Sequence, residues 1–388
     1  MSPRVAPVRV ETRPPGAGEG TGPVRGEVGR VARPGLRGAL GLSALMLVHH
    51  FALWAWTAFH RGFPLLQGLE RWDSAHYNTI VTQGYVSPLW AFLPLYPLAV
   101  VRPVYALLGG AVPPQVLGCV LSTGLLLAFV VWVGRWDASR EPASPLAPRT
   151  VWGWFFFLFS PASFALHSHH TEALFLVLSF GAFASAWTGR FGWTALFAGL
   201  CVLTRNQGVF VAVVAALLLA ERAEPGRKLV RFAGLGAVSL AAYGGLMGFE
   251  WLSSGDPLAH LHAQESWSHA SSAWEALRTL WYGNPWQVAR GWPLLRGVLC
   301  ALVLVASVAL FRRSRPLFLY GVLSVAVMLP QGDFHNAFRF GAVLFPMLFW
   351  LGDWVAARPA WLRWTVALLA LWLNHRVTHG FVIGLWAY

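Results

Sequence analysis

The sequence predicts an all-α, polytopic integral membrane protein, and its composition, the placement of its charges and the length of its apolar runs all indicate that class. Of the 388 residues, 56% are hydrophobic and 12% are charged, whereas soluble domains carry about 25% charged residues. So few charges cannot cover a water-facing surface of this size, but they suit a perimeter that faces lipid. The apolar runs predict roughly ten to twelve membrane segments.

The formal net charge of +13 does not indicate nucleic-acid binding, because the basic residues lie in the segments between the apolar runs and do not form one continuous basic surface. They cluster before the first run, in loop 221–231 and at 312–316. The positive-inside rule produces this distribution, so we expect both loops to be cytoplasmic. Lys228 is the single lysine. This arginine-rich composition favours a bacterial plasma membrane, with the ER membrane as the equivalent in a eukaryote.

Two domains are predicted. Residues 1–37 are rich in Pro, Gly and Arg and lack apolar periodicity, which is typical of a disordered cytoplasmic tail. Residues 38–388 form the transmembrane domain, which begins with a retained helix because its apolar stretch starts too late for a signal peptide. Two polar interruptions, 60–88 and 253–292, are long enough to hold structure outside the bilayer. A cytoplasmic N-terminus places loop 60–88 on the far side, and the cytoplasmic basic loops 221–231 and 312–316 place loop 253–292 on the same side.

The remaining apolar runs follow in order, and two of them are short. They lie at 89–110, 113–134, 150–168, 171–188, 192–203, 208–220, 232–252, 293–311, 316–330, 340–357 and 360–374. Runs 192–203 and 208–220 are each too short to cross a core of about 30 Å comfortably. They fit one broken helix, two short tilted helices or a re-entrant pair, and the side on which loop 135–149 lies depends on that choice.

The most informative stretch follows the first helix and reads Arg71-Trp72-Asp73-Ser74-Ala75-His76-Tyr77. If residues 74–83 are helical, Asp73, His76 and Tyr77 share one face. The alternative is an interfacial helix with Asp73 as its N-cap and aromatic residues at the membrane surface. Capping accounts for the aspartate alone, whereas the whole cluster indicates chemistry at that surface.

This block resembles the dolichyl-phosphate-mannose-dependent mannosyltransferases of the PIG-V type, the family of the second mannosyltransferase of GPI-anchor synthesis. The block continues as Gly84-Tyr85 and Ala91-Phe92-Leu93-Pro94-Leu95-Tyr96-Pro97. Further matching blocks keep the family's order to about residue 346: Thr171-Glu172-Ala173-Leu174-Phe175, Leu203-Thr204-Arg205-Asn206-Gln207-Gly208, Gly255-Asp256-Pro257-Leu258, and Arg339 to Pro346. His170 departs from the tyrosine usual in the family, so substrate contacts there are expected to differ.

The resemblance implies a GT-C fold, a multi-helix membrane glycosyltransferase with its active site on extracytoplasmic loops. Such enzymes use a lipid-phosphate-linked sugar, here a polyprenyl-phosphate hexose such as mannose, and invert the anomeric centre without a cofactor. The bilayer, this donor and an unidentified glycan, lipid or protein acceptor are the implied partners. By position, the catalytic carboxylate is Asp73.

The other site residues are expected to bind substrate or to support Asp73. Arg205 and Arg339 are expected to hold the donor phosphate, or else to anchor helix ends by snorkelling. Glu172 fits a sugar-binding role and a helix-dipole role equally well, and Asp256 is also a typical turn residue. The supporting or substrate-binding set is Arg71, Trp72, His76, Tyr77, Tyr85, Glu172 and Asp256.

No metal site is predicted, although His167, His169 and His170 lie close together. No second ligand pair stands at recognised zinc spacing, so we interpret these histidines as polar residues at a helix boundary. His49 and His50, inside the first helix, are interpreted as hydrogen-bonding residues that face the bundle.

Two other functions fit the composition. A secondary transporter or flippase would have the same apolar content, but it would gather its polar groups near the bilayer midplane on broken helices. Here those groups concentrate in outer loops and at helix ends. A catalytically inactive scaffold subunit is the third alternative, and the intact block around Asp73 argues against it.

Overall fold

The computed structural model describes residues 35–138, 144–266, 293–329, 334 and 336–385. The predicted tail, up to residue 34, lies outside the described residues, as does the second predicted outer loop from residue 267 to 292. The first helix starts at Leu36, two residues before the predicted boundary.

Throughout the described ranges the chain folds into α-helices with short 3₁₀ and π segments, and no strand is present there. The α-helices are α1 Leu36–Arg61, α2 Leu65–Leu69, α3 Asp73–Gln83, α4 Arg102–Leu107, α5 Pro114–Ala138, α6 Val151–Leu158, α7 Glu172–Trp187, α8 Phe191–Val202, α9 Gly208–Glu221, α10 Lys228–Ser254, α11 Ala259–Glu265, α12 Pro293–Leu310, α13 Arg315–Met328, α14 Ala337–Ala342, α15 Phe345–Ala356 and α16 Ala360–Val382. The 3₁₀ segments are Leu89–Ala91, Ser163–Leu166 and Pro225–Arg227, and the π-helix is Leu95–Val101.

Four helical stretches within the described ranges are apolar and long enough to cross a membrane. They are Leu36–Arg61, Pro114–Trp136, Pro225–Ser254 and Pro293–Leu310. Five shorter apolar helices of 10–17 residues accompany them. The all-α polytopic membrane class is therefore confirmed, while a total of ten to twelve segments stays a prediction.

Helix α7 forms the centre of the bundle. Most of its residues are buried, including small ones such as Gly181 and Ala184, and it packs against α5, α8 and α9. Small side chains let neighbouring helices approach closely, which is how helices associate in membranes where lipid is as apolar as leucine. The first residue of this central helix is Glu172, which is fully buried, so the fold places a buried carboxylate at the N-terminal end of α7.

The two short runs near residue 200 form two separate helices, α8 and α9, which pack against each other. The chain turns between them at 203–207, which rules out one continuous broken helix. Gly208 permits the turn, because a Cβ atom there would overlap the carbonyl group of Cys201. The turn carries Arg205.

Run 150–168 does not form one membrane segment. It contains the eight-residue helix α6, which ends at Leu158, and then an irregular stretch with one 3₁₀ turn. The irregular stretch continues beyond the run to Thr171, contains three histidines and lies buried inside the bundle. Non-helical backbone is tolerated at membrane depth where protein surrounds it.

The second predicted outer loop contacts the segment that directly follows the first one. Gln264, in α11, donates a hydrogen bond of 3.1 Å from Nε2 to the carbonyl oxygen of Ala91, and α11 packs against the 3₁₀ turn at Leu89–Ala91. The segment that follows the block around Asp73 therefore contacts the segment that follows Asp256.

Candidate functional site

Asp73 is the first residue of α3, and an unusual backbone turn places it there. The preceding Trp72 has a φ angle of 52°, a conformation that is a genuine outlier for a bulky residue. Trp72 is held by a 3.1 Å hydrogen bond from its Nε1 to the carbonyl oxygen of Leu385. The N-cap position of α3 is occupied by Trp72, and no side-chain capping hydrogen bond is present there. The Asp73 side chain accepts a hydrogen bond from Nη1 of Arg339 instead, so the capping interpretation is wrong.

Glu172 joins the two predicted phosphate-binding arginines. Its Oε1 atom accepts hydrogen bonds from Nη1 of Arg205 and from Nε of Arg339. Arg339 also donates to Asp73, so four charged groups form one continuous chain from Asp73 to Arg205. Thr171 adds its hydroxyl oxygen, which accepts a 3.0 Å hydrogen bond from Arg205.

This chain of charges is buried. Glu172 is fully buried, and Arg205 and Arg339 are only 8% and 6% exposed. Burying each ion alone would cost several kcal/mol, but here each carries a partner of opposite sign. The alternative of snorkelling anchors is wrong for both arginines, because their guanidinium groups point into the protein and not towards a surface.

A cavity of about 530 Å³ opens onto these charges. Its size lies within the range of about 300–1,000 Å³ that is usual for small-molecule sites. Its polar wall consists of Asp73, Thr171, Thr204, Arg205, Asn206, Gln207, Gln264, Ser266, Asn336 and Arg339. Its apolar and aromatic wall consists of Trp72, Tyr77, Ala91, Phe92, Leu93, Phe210, Val327 and Phe340. An aromatic and aliphatic surface with a few charged groups suits a ligand that is part sugar or lipid and part phosphate.

Trp72 and Tyr77, both predicted to support Asp73, line the cavity. Tyr77 is buried, and its ring lies edge-on to Phe92 and Tyr96 at 5.3 and 5.4 Å between ring centroids. Burial raises the pKa of the Tyr77 phenol, so the hydroxyl group keeps its proton at neutral pH. It can therefore donate a hydrogen bond but cannot act as a base.

Three predicted residues lie behind the cavity wall. Arg71 donates a 3.1 Å hydrogen bond to the carbonyl oxygen of Val382. The ring of His76 lies 5.2 Å from that of Phe92, and burial lowers its pKa while Asp73 raises it in part. Tyr85 donates a 2.5 Å hydrogen bond to the carbonyl oxygen of Phe92. His76 and Tyr85 thus contact Phe92, a residue of the wall, which fits a positioning role.

Asp256 lies outside the cavity wall and shapes the segment that enters α11. Its Oδ1 atom accepts a 3.0 Å hydrogen bond from the amide of Leu258, and its Oδ2 atom lies 2.6 Å from Nδ1 of His262. The turn interpretation therefore holds. Its contribution to the cavity is indirect, through Gln264 and Ser266 at the end of α11.

The Asp256–His262 pair predicts that the local stability of this segment depends on pH. The hydrogen bond with Asp256 raises the pKa of His262, and that same bond lowers the pKa of Asp256. The stabilisation from His262 is complete below its ordinary pKa of 6.5 and is lost as the pH rises through the raised value. The stabilisation from Asp256 is present above 3.8 and is lost as the pH falls through the lowered value.

Amide hydrogen-exchange protection of residues 256–266 should therefore be greatest between these limits and should fall towards alkaline pH. His262→Gln should remove the alkaline decline and leave the protection of α5 unaffected. Protection factors of 256–266 that stay constant with pH in the wild type would contradict a role for this pair.

Sequence reasoning did not single out Thr171, Gln207 or Gln264 as site residues. Thr171 is adjacent to Glu172, and Gln207 is two residues from Arg205. Both lie in blocks that carry the family resemblance, so their sequence position could have identified them as site residues. Gln264 lies in the second outer loop, and only the packing of α11 against Leu89–Ala91 shows that it reaches the cavity.

His167, His169 and His170 lie in the irregular loop that precedes α7, in agreement with their interpretation as polar residues at a helix boundary, and all three are fully buried there. Nε2 of His167 lies 2.8 Å from Nδ1 of His50, whose Nε2 lies 2.9 Å from Oδ1 of Asn374. His169 contacts the hydroxyl group of Tyr96 at 2.9 Å. These bonds join α1, α16 and the irregular stretch before α7, and they confirm that His50 faces the bundle.

No group of three or more His, Cys, Asp or Glu side chains in the described ranges is arranged to hold a metal ion. The cations that the structure does place at the cavity belong to the protein itself, Arg205 and Arg339.

Part of the chain is similar to named mannosyltransferases. It is 30% identical over 155 residues to a protein of Cricetulus griseus named GPI alpha-1,6-mannosyltransferase 2, covering 37% of this chain and 30% of that protein. The proteins of the same name in Mus musculus and Rattus norvegicus are each 31% identical over 157 and 156 residues. The match thus spans less than a third of the length of these relatives. No family model and no solved structure matches the chain.

Proposed function

We propose that this membrane protein is a glycosyltransferase that moves a hexose, namely mannose, from a polyprenyl-phosphate sugar to an extracytoplasmic acceptor with inversion. The observation that carries the proposal is the ion-paired chain of Asp73, Arg339, Glu172 and Arg205 beside one cavity. One carboxylate and two fixed cations are what this reaction needs. The similarity to GPI mannosyltransferases supports mannose as the sugar.

Asp73 is the general base in this proposal. The acceptor hydroxyl oxygen forms a bond to the anomeric carbon as its proton passes to the Asp73 carboxylate. At the same time the bond from the anomeric carbon to the phosphate oxygen breaks, and the polyprenyl phosphate leaves with the electron pair. Attack from the face opposite the leaving group inverts the anomeric centre.

Arg205 and Arg339 bind the donor phosphate and stabilise the charge that develops on the leaving group. With two cations at this position, departure needs no general acid. Glu172 pairs with both guanidinium groups. Its burial at the start of α7 connects this clamp to the helix that packs against α5, α8 and α9.

The pair between Asp73 and Arg339 suggests an order of events. In the free protein Arg339 donates a hydrogen bond to Asp73, so the carboxylate is occupied by this partner. A donor phosphate competes for the same guanidinium group, so its arrival releases the Asp73 carboxylate towards the acceptor. The base is then free when a donor is present, which limits unproductive reactions with water.

The proposed location follows from the topology expected from the charges. The protein is an integral membrane protein, and the cavity lies where the segments of the two predicted outer loops meet. With loops 221–231 and 312–316 in the cytoplasm, the cavity faces the outside of a bacterial plasma membrane, or the ER lumen in a eukaryote. The donor then enters laterally from the bilayer.

The direct experiment uses the purified full chain in detergent with radiolabelled polyprenyl-phosphate mannose and a membrane glycolipid extract as acceptor. We expect label in the acceptor fraction, and none when GDP-mannose replaces the lipid-linked donor. A transporter or flippase shows no reaction without a sealed membrane. The absence of transfer from polyprenyl-phosphate mannose and from polyprenyl-phosphate glucose would contradict the proposed function.

A further inference from the structure

One polar side chain of the cavity wall takes no part in the ion-paired chain of Asp73, Arg339, Glu172 and Arg205. Gln207 lies in the turn between α8 and α9 and lines the cavity, yet it is only 2% exposed. Neither its Oε1 nor its Nε2 atom has a hydrogen-bond partner among the described residues. An unpaired buried amide of this kind is rare in folded proteins, and each instance calls for a reason.

The absence of a partner is costly. A buried donor or acceptor without a hydrogen bond destabilises the folded protein, and the Gln207 amide leaves both its donor and its acceptor atom unpaired. A methionine of similar length would avoid this cost in the free protein. The amide is therefore poorly suited to stabilise the fold and well suited to bind something that enters the cavity.

The surroundings indicate what that ligand is. Gln207 is two residues from Arg205 in the turn, and Asn206 and Gln264 contribute further neutral amides to the same cavity. Trp72 and Phe210 supply flat apolar surface. A neutral amide that both donates and accepts matches hydroxyl groups, which also do both, better than it matches a phosphate, which only accepts.

We propose that Gln207 forms a sugar-hydroxyl subsite, in which its side-chain amide binds two neighbouring hydroxyl groups of the transferred hexose beside the phosphate clamp. This subsite deepens the proposed transfer function and depends on it. Binding of the sugar satisfies both amide atoms, so the cost borne by the free protein is recovered only when a hexose is present. A lipid phosphate without a sugar leaves the amide unpaired.

The test compares two probes on the purified full chain in detergent, polyprenyl phosphate and polyprenyl-phosphate mannose. Gln207→Met should weaken binding of the sugar-bearing probe about ten-fold, which corresponds to about 1.4 kcal/mol, and should leave the affinity for polyprenyl phosphate unchanged. The melting temperature of the free variant should equal or exceed that of the wild type, because the unpaired amide is gone. Gln207→Asn, which keeps a shorter amide, is the second variant.

Gln115 offers a matched control. It is a buried glutamine outside the cavity wall, and its Oε1 atom accepts a 3.1 Å hydrogen bond from Nδ2 of Asn78. Gln115→Met removes a satisfied hydrogen bond, so it should lower the melting temperature and leave the preference for the sugar-bearing probe unchanged. Gln207→Met is thus expected to lose the preference for the sugar-bearing probe without a loss of stability. Gln115→Met is expected to lose stability and to keep that preference.

The outcomes separate the subsite from the function. If the wild type binds both probes and Gln207→Met weakens both equally, or lowers the melting temperature without changing the preference, Gln207 is a structural residue and the subsite is wrong. If the wild type binds neither probe, the transfer function fails and the subsite fails with it. Selective loss of the sugar-bearing probe supports both.

Discussion

Asp73→Asn should abolish sugar transfer while leaving the protein folded and inserted in the membrane. The asparagine has the same shape, and its carbonyl oxygen can still accept the hydrogen bond from Arg339, but the amide cannot take a proton from the acceptor. Loss of a general base lowers rates by about 10²- to 10⁴-fold. The measurement is transfer of radiolabelled mannose from polyprenyl-phosphate mannose by equal amounts of wild-type and variant protein.

Asp353→Asn is the control for this substitution. Asp353 accepts hydrogen bonds from the backbone amides of Arg149 and Thr150 at 2.8 Å, far from the cavity wall. Transfer per unit of folded protein should therefore stay at the wild-type level. Wild-type transfer by Asp73→Asn at equal protein level would remove Asp73 from the mechanism and with it the proposed chemistry.

Glu172→Ala should have the largest effect on stability. It removes the buried carboxylate that pairs with both Arg205 and Arg339. The two guanidinium groups then stay buried without the negative charge that both of them share. Breaking a buried ion pair by removing one partner costs roughly 3–5 kcal/mol. The melting temperature of the purified variant in detergent, followed by light scattering and tryptophan fluorescence, should fall well below that of the wild type.

Glu224→Ala provides the comparison at an exposed pair. Glu224 lies 3.7 Å from Arg227, and both side chains are largely exposed, so its removal should cost at most about 1 kcal/mol. Adding Arg205→Met to Glu172→Ala should recover part of the lost stability, because it removes one of the uncompensated charges. Equal melting temperatures for Glu172→Ala and Glu224→Ala would contradict the importance of the buried chain of charges.

Much of the candidate site could be read from local sequence. The spacing of Asp73, His76 and Tyr77 places them on one face if residues 74–83 are helical, and α3 covers Asp73–Gln83. The four charged residues of the site were all singled out, because each lies in a block that carries the resemblance to the PIG-V-type mannosyltransferases. Their assigned roles in catalysis and phosphate binding stay predictions.

Other features were out of reach because they depend on contacts between distant segments. The hydrogen bond between Arg339 and Asp73 joins residues 266 positions apart, and no local sequence pattern predicts such a pairing. The left-handed backbone of Trp72 depends on its bond to Leu385 at the other end of the chain. The unpaired amide of Gln207 is visible only once everything around it is placed.

The sequence by itself determined the membrane class, because the balance of apolar and charged residues must match the solvent around the protein, whatever the path of the chain. It also determined which residues carry charge next to apolar segments. Only the tertiary structure decided that Asp73, Glu172, Arg205 and Arg339 form one ion-paired chain beside one cavity. The physical reason is that a charge at membrane depth is stable only beside its partner, and the packing of helices around α7 selects which distant charges become partners.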